Sequence, residues 1–523
     1  MASGNRVFRY MAKKQAKKVL QPNPSRTGQI TGQRILPYRG HLFMQDVASC
    51  RPPPRMTGEG MPSYFDKSHD HGGHQQTGGA LRRWLLTLVT VCGLLFCSSV
   101  PARADMIRDA EIEAGLEQLV APLASAAGYA PGEITVRVVI NPHYNAFVAG
   151  KRTIYVHSAL LLEAENVLEF LGVMAHEIGH IKAGHVPRID EAQSAATGAA
   201  ALATIAAMAI ATSGSGDAAA GVLIGGSDRA NRVFLSSIRR NESVADEIGL
   251  GLMDAAGLSS VGLRNLMQRL ARQRALPEHR QSVYYSTHPG AIDRLQTLQD
   301  HVSRSPYSAR PASEEINRLY DRLVAKVFAW TEAPQRVLNQ DGGPSPDADN
   351  RQYATAIAAY RQGDLTPALA TMDRLVAAYP QDGFFHEFRG DILFAMARPG
   401  DAAAAFETAL RLRTASPLIQ LTLGRALVAT GDATQLPRAI EVLRAAHQGE
   451  PLWAFPARQY AIALGRDGQI AAADIMLAEE AILYGDRQRA VQLARRALKP
   501  DDIDPVLASR AHDIIFRFGG ATD

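Results

Sequence analysis

Four Gly-Asp pairs punctuate the second half of this chain, at Gly363-Asp364, Gly400-Asp401, Gly431-Asp432 and Gly485-Asp486, with alanine- and leucine-rich stretches of helical spacing between them. The first two intervals are 37 and 31 residues; the third, of 54, is divided by Gly468 into 37 and 17. A recurrence near about 34 residues, two helices to a unit, is the spacing of tetratricopeptide (TPR) repeats. One such helix pair cannot bury its apolar face alone, so neighbours must stack into a superhelix. Pro380, Pro417 and Pro451 close successive units. Ala368, Ala404 and Ala439 fall where the second helix of each pair needs a small side chain. Residues 351–510 therefore read as an all-α, TPR-like superhelical domain.

Upstream the pattern changes. Residues 107–128 carry Ile107, Ile112, Leu116, Leu119 and Val120 at helical spacing. Residues 133–140 alternate and are β-branched, as are Thr153–His157, which predicts two strands of a small sheet. Helices are expected over 158–162, 167–184, 231–256 and 263–274. This makes 105–305 an α+β domain, mainly helical. Residues 306–350 read as a connecting helix, 313–330, that leads away from it, followed by a Gly/Pro/Asp linker at 341–347.

The helix at 167–184 contains His176-Glu177-Ile178-Gly179-His180. Two histidines four apart share a helix face, and two neutral imidazoles at that spacing can hold one zinc ion. Glu177, next to the first histidine, can take a proton from water at the metal. A catalytic zinc needs a third protein ligand and one open position. His185 comes five residues after His180, directly after Gly184; the metzincin pattern puts its third histidine six residues on. A continued helix would turn His185 about half a turn off the ligand face, so it reads as a non-ligand. Glu242 is the better third ligand. Asp246, one turn further on, can accept the outer N–H of a ligand histidine.

Charge and cysteine usage exclude several classes. The net charge is +4 and no basic stripe interleaves with aromatics, which leaves no footprint for nucleic acid. Cys50, Cys92 and Cys97 all precede residue 100, so neither a disulfide framework nor a cysteine-ligated metal belongs to the rest of the chain. Arg82-Arg83, an apolar run over 84–96 and Pro101-Ala102-Arg103-Ala104 follow the order of a secretory signal peptide at 81–104, with the mature chain expected from Asp105. Residues 1–80 read as a disordered leader or a start codon placed too early, with Met56 or Met61 the true beginning. The apolar, alanine-rich 192–226 suggests two small helices or a lid, with peripheral membrane contact as the lesser reading.

With these residues in view, the chain resembles the HtpX-like metallopeptidases, gluzincins that include the CAAX prenyl proteases. The resemblance rests on His176-Glu177-Ile178-Gly179-His180, on Glu242-Ser243-Val244-Ala245-Asp246, on Asn145-Ala146-Phe147, on the Thr-Ile-Tyr-Val strand, and on Ser286-Thr287-His288-Pro289 with Arg294 after it. It spans about 107–500, and an export signal before it with TPR repeats behind narrows it to periplasmic members. It implies a zincin-type fold, one zinc held by His176, His180 and Glu242, and Glu177 as base. His288 could enter the open zinc position or donate to the oxyanion. The implied activity is a periplasmic endopeptidase acting on misfolded or misassembled envelope proteins, its repeats docking the outer-membrane assembly machinery. The other reading is a TPR-based chaperone or adaptor with little proteolysis. Ser243-Val244 replaces a charged residue usual in the glutamate motif, which touches no ligand.

Overall fold

The computed structural model describes residues 106–150, 152–185, 238–277, 280–413, 416–500 and 502–519. The leader, the export segment and the alanine-rich 192–226 lie outside these residues. No helix among those described is long and apolar enough to cross a membrane.

A four-stranded sheet has the order β1-β2-β4-β3, with β1 Met106–Ile107, β2 Thr135–Val139, β3 Ala146–Ala149 and β4 Thr153–His157. The two strands legible in the sequence, β2 and β4, form its parallel centre, with Val136 opposite Ile154 and Val138 opposite Val156. These β-branched residues are buried and press on helix α1, Ala110–Ala126, which Asp109 caps by accepting from two first-turn amides. The other two strands were not expected; two and four residues are too few for an alternation to register. Strand β3 runs antiparallel to β4, Ala146 opposite Val156, and is an edge of the sheet.

Behind the sheet, α2 is Ser158–Glu163 and α3 is Val167–Ala183. Asn166 accepts from Glu169 N at the start of α3, and Gly184, left-handed at φ 64°, ends it. Helix α3 is buried almost all round, as a central helix must be, its polar residues Glu169, His176, Glu177 and His180 included. Three glycines let its neighbours close in. A Cβ on Gly172 would meet the Cβ of Leu263, 2.6 Å away, in α5, Val261–Arg272. A Cβ on Gly179 would lie 2.5 Å from the carbonyl oxygen of Ala245 in α4, helical over 238–255. Gly249 of α4 faces the backbone of Ala175 and His176 in return.

A short helix α6, Val283–Thr287, and α7, Ala291–Arg304, complete this part. Helix α8, Glu314–Thr331, does not lead away as expected. It lies back against α1 because its Lys326, almost fully buried, pairs with Asp109 and Glu111 at 2.8 Å each. Arg322 joins Glu111 to Asp382, and Tyr353 donates to Glu111 at 2.9 Å. Residues from both sides of the 341–347 segment thus share one buried ion network and one apolar core, which runs from Ile107 to Ile392. The segment itself is packed: Ser345 is buried, and Gly343, at φ 103°, leaves no room for a Cβ beside Phe328. Its composition suggested a tether; its glycines serve close approach instead.

The array begins with Ala348–Gln362 and Leu365–Ala378, then Gly383–Ala395 with Pro399–Leu412, Pro417–Ala429 with Leu436–Gly449, and Ala454–Arg466 with Ile470–Leu483. Arg487–Ala497 and Pro505–Phe518 close it. Gly363, Gly431, Gly468 and Gly485 take left-handed turns between helices, but Gly400 does not. Ala397, at φ 57°, makes that turn, and Gly400 opens the next helix. The small-residue position shifts with it: Ala368 and Ala439 are fully buried as expected, whereas Ala404 is exposed and Ala405 takes the inner place. The array also returns to the sheet domain. Glu450 pairs with Arg108 at 2.7 Å and Arg137 at 3.4 Å, and the Arg108 guanidinium lies 4.3 Å over the Trp453 ring.

Candidate metal centre

Helix α3 presents His176, Glu177 and His180 on one buried face, and α4, drawn in by Gly179 and Gly249, lays Glu242 and Asp246 across it. The residue after α6, His288, closes the third side. Donor atoms of His176, His180, Glu242 and His288 all lie within 4.8 Å of one another. Nε2 of His176 is 3.1 Å from Nε2 of His180 and 3.3 Å from Glu242 Oε2. Glu242 Oε1 is 3.3 Å from His180 Nε2. His288 Nδ1 is 3.3 Å from His176 Nε2 and 3.1 Å from Glu242 Oε2. Ligands each about 2.1 Å from one tetrahedral ion sit about 3.4 Å apart, so these spacings suit a shared ion.

The outer groups fix the inner ones. Asp246 Oδ1 lies 2.8 Å from His176 Nδ1; a carboxylate only accepts, so Nδ1 carries the proton and Nε2 is free as a ligand. Arg294 in α7 donates through Nε and Nη2 to Asp246, at 2.6 and 2.8 Å, and through Nη1 to Glu242 Oε2 at 2.7 Å and the His288 carbonyl at 3.2 Å. One guanidinium thereby orients Glu242 and Asp246 of α4 and the turn that carries His288. His185, buried, puts Nδ1 2.9 Å from Nδ1 of His180. It is not among the four convergent donors, but the continued helix on which that expectation rested is absent: Gly184 ends α3 and turns His185 into contact with His180.

Charge favours a cation here. Glu177, Glu242 and Asp246 are buried carboxylates facing one buried guanidinium, which leaves two negative charges for a divalent ion to balance. Without the ion a proton substitutes. Burial pushes the His176 imidazolium down, but its bonds to Asp246 and Glu242 more than offset this and raise it to about 9. Burial opposes ionisation of Asp246, yet Arg294 and His176 hold it down, at about 2. Glu242 is likewise held well below the ordinary carboxylate range against its burial, by the electrostatic influence of His288 and by its bonds to His176, His180 and His288. Burial and the neighbouring His176 charge lower His180. Glu177 differs from the other two acids. Its Oε1 is buried without a hydrogen-bond partner among the described residues, 3.6 Å from His288 Nε2.

The site lies against the edge of the sheet. His288 Nε2 is 3.3 Å from the carbonyl of Ala146 in edge strand β3, and Thr287 Oγ1 donates to Asn145 at 3.2 Å. An extended chain laid along β3 would pass this group of side chains.

The structure brings His176, Glu177, His180, Glu242, Asp246 and His288 together, although up to 112 residues separate the partners. Sequence reasoning missed the bridging of Arg294, seen there only as part of a motif, and the contact of His185 with His180. The small residues at 179, 245 and 249 were the available signal that α3 and α4 meet closely.

Residues 110–302 match the model of peptidase family M48. The beta-barrel assembly-enhancing protease of Escherichia coli (strain K12) is 25% identical over 339 residues, 63% of this chain and 67% of that one. The protein of the same name from Yersinia pestis is 24% identical over 410 residues, 77% of this chain and 82% of its own. The metalloprotease LoiP of Escherichia coli (strain K12) is 27% identical over 247 residues, 42% of this chain and 93% of its own.

Proposed function

We propose that the chain is a metalloendopeptidase, its residues 110–302 matching peptidase family M48, and that it uses one zinc ion to cleave misfolded or stalled proteins of the cell envelope. The observation that carries the reading is the set of four convergent buried donors, of which three belong to the helices α3 and α4. His176, His180 and Glu242 hold the ion, and His288 stands at the remaining position. Zinc, when bound there, polarises a carbonyl and makes water acidic near neutral pH. Glu177, the one acid of the site that neither Arg294 nor a histidine ties down as a short pair, takes the proton and returns it to the leaving amine. Asp246 keeps His176 in its ligand tautomer, and Arg294 keeps Asp246 and Glu242 apart from bulk water and in place. His288 either occupies the open position in the resting site or donates to the oxyanion; its Nδ1 faces Glu242 while its Nε2 faces Ala146 and Glu177, and both roles need this poise.

The relatives support a substrate class. Two are proteases that enhance beta-barrel assembly. Carried to this chain, that makes its substrates misassembled outer-membrane proteins, its compartment the periplasm, and its TPR-like array the part that docks substrate or assembly machinery. The order of residues 82–104 supports export. The test uses the full mature chain, zinc-loaded, with unfolded casein as substrate. Wild type should degrade it and Glu177→Gln should not, both carrying one zinc per chain. Equal degradation by the two would remove the proteolytic reading, and full rescue of an envelope defect by Glu177→Gln would favour an adaptor.

A further inference from the structure

Two buried polar atoms at this site have no hydrogen-bond partner among the described residues: Oε1 of Glu177 and the hydroxyl of Tyr284. Such orphans are few in native structures, and each is unfavourable unless a ligand or water serves it. Tyr284 is completely buried in the first turn of α6, four residues before His288. Its ring stacks on the His288 imidazole, centroids 4.3 Å apart at 29°, and meets Tyr144 edge-on at 5.8 Å. The Tyr144 hydroxyl donates to Glu169 at 3.0 Å, and its oxygen is not within hydrogen-bond reach of the Tyr284 hydroxyl. The edge of the same imidazole, at Nε2, lies 3.6 Å from the orphaned Glu177 oxygen. The donor that lacks an acceptor and the acceptor that lacks a donor therefore both border one ring.

We propose that Tyr284 is a positioning residue for the base: its hydroxyl donates to a water that in turn donates to Glu177 Oε1, fixing the carboxylate rotamer from which Glu177 works. The inference rests on the proteolytic reading above but concerns a contact that exists without it. No bond is made or broken by Tyr284. Burial opposes ionisation of its hydroxyl, and Glu177 is the largest of the neighbouring acidic influences that do the same. A donor held in its protonated form beside a carboxylate is what such a bridge needs.

The test is Tyr284→Phe in the full chain, which keeps the stack on His288 and removes only the oxygen. Zinc content should stay at one per chain and KM for a casein-derived peptide within twofold. The expected kcat falls about tenfold, because a loosened base misplaces the proton acceptor rather than the substrate. A second readout needs no activity. Melting temperatures of the metal-free protein are compared for wild type, Tyr284→Phe, Glu177→Gln and the double variant. The shift caused by Tyr284→Phe should be at least halved in the Glu177→Gln background, since the two act through one bridge. An unchanged kcat, or an equal shift in both backgrounds, overturns the proposal. If wild type cleaves nothing, the proteolytic reading fails by itself, and the melting comparison still decides whether Tyr284 and Glu177 are coupled.

Discussion

Replacing Asp246 with Asn should separate holding the metal from holding the fold. Asp246 takes part in three buried bonds, to His176 Nδ1 at 2.8 Å and to Arg294 Nε and Nη2 at 2.6 and 2.8 Å. Asparagine keeps one carbonyl oxygen and turns the other position into a donor, which then faces an N–H. The negative charge opposite Arg294 is lost as well. Breaking half of a buried, hydrogen-bonded ion pair costs about 3–5 kcal/mol. Glu242 remains on Nη1 of Arg294, so the loss should sit near the lower figure. Loss of an outer partner of a ligand histidine costs about 10–100-fold in metal affinity, or about 1.4–2.7 kcal/mol. The fold therefore suffers more than the metal does, and excess zinc recovers part of the stability. Urea unfolding of the metal-free protein and zinc competition against a chelator at pH 7 measure the two quantities. Lower stability with wild-type zinc affinity would show that Asp246 serves Arg294 alone and would refute its role in fixing His176.

Glu242→Gln should reduce zinc affinity more than His185→Ala does, because a neutral amide is a poorer ligand while His185 only backs His180; chelator competition on both variants checks the order. In metal-free protein His176 is raised to about 9 from 6.5, so the stability it contributes is complete below pH 6.5 and lost as pH rises through 9; zinc, which needs the neutral ring, should release a proton on binding within that window, measurable in a pH-stat. Asp246, lowered from 3.8 to about 2, contributes stability above pH 3.8 that disappears as pH falls toward 2, which acid unfolding would register. Gly179→Val puts atoms against the Ala245 carbonyl and should push α4 off α3, costing about 1–3 kcal/mol in thermal unfolding and lowering zinc content together.

The inner site was largely legible because its chemistry is local: His176, Glu177 and His180 share one helical turn, and Glu242 and Asp246 share another. What joins the turns was not. Arg294 is one basic residue on an amphipathic helix until it is seen reaching three groups, and Tyr284 reads as a core aromatic. The array's helix pairs followed from their spacing, since each unit is a local hairpin. Its turn residues followed less well, because Ala397 accepts a left-handed turn that Gly400 offered by composition. Strands β1 and β3 were hidden by their length, and β3 is the one beside the site. The largest misreading was of 341–347. Glycine and proline mark tethers and close packing alike, and only the contacts of Gly343 with Phe328 and the pairing of Lys326 with Asp109 and Glu111 tell them apart.

The account depends on one ion at the meeting of α3 and α4. Crystals of the full mature chain, grown with zinc and measured on both sides of the zinc absorption edge, would locate it. The expected result is a single anomalous peak about 2.0–2.2 Å from Nε2 of His176, Nε2 of His180 and a carboxylate oxygen of Glu242, one per chain. A peak elsewhere, or none in protein that degrades casein, would contradict the assignment of these residues.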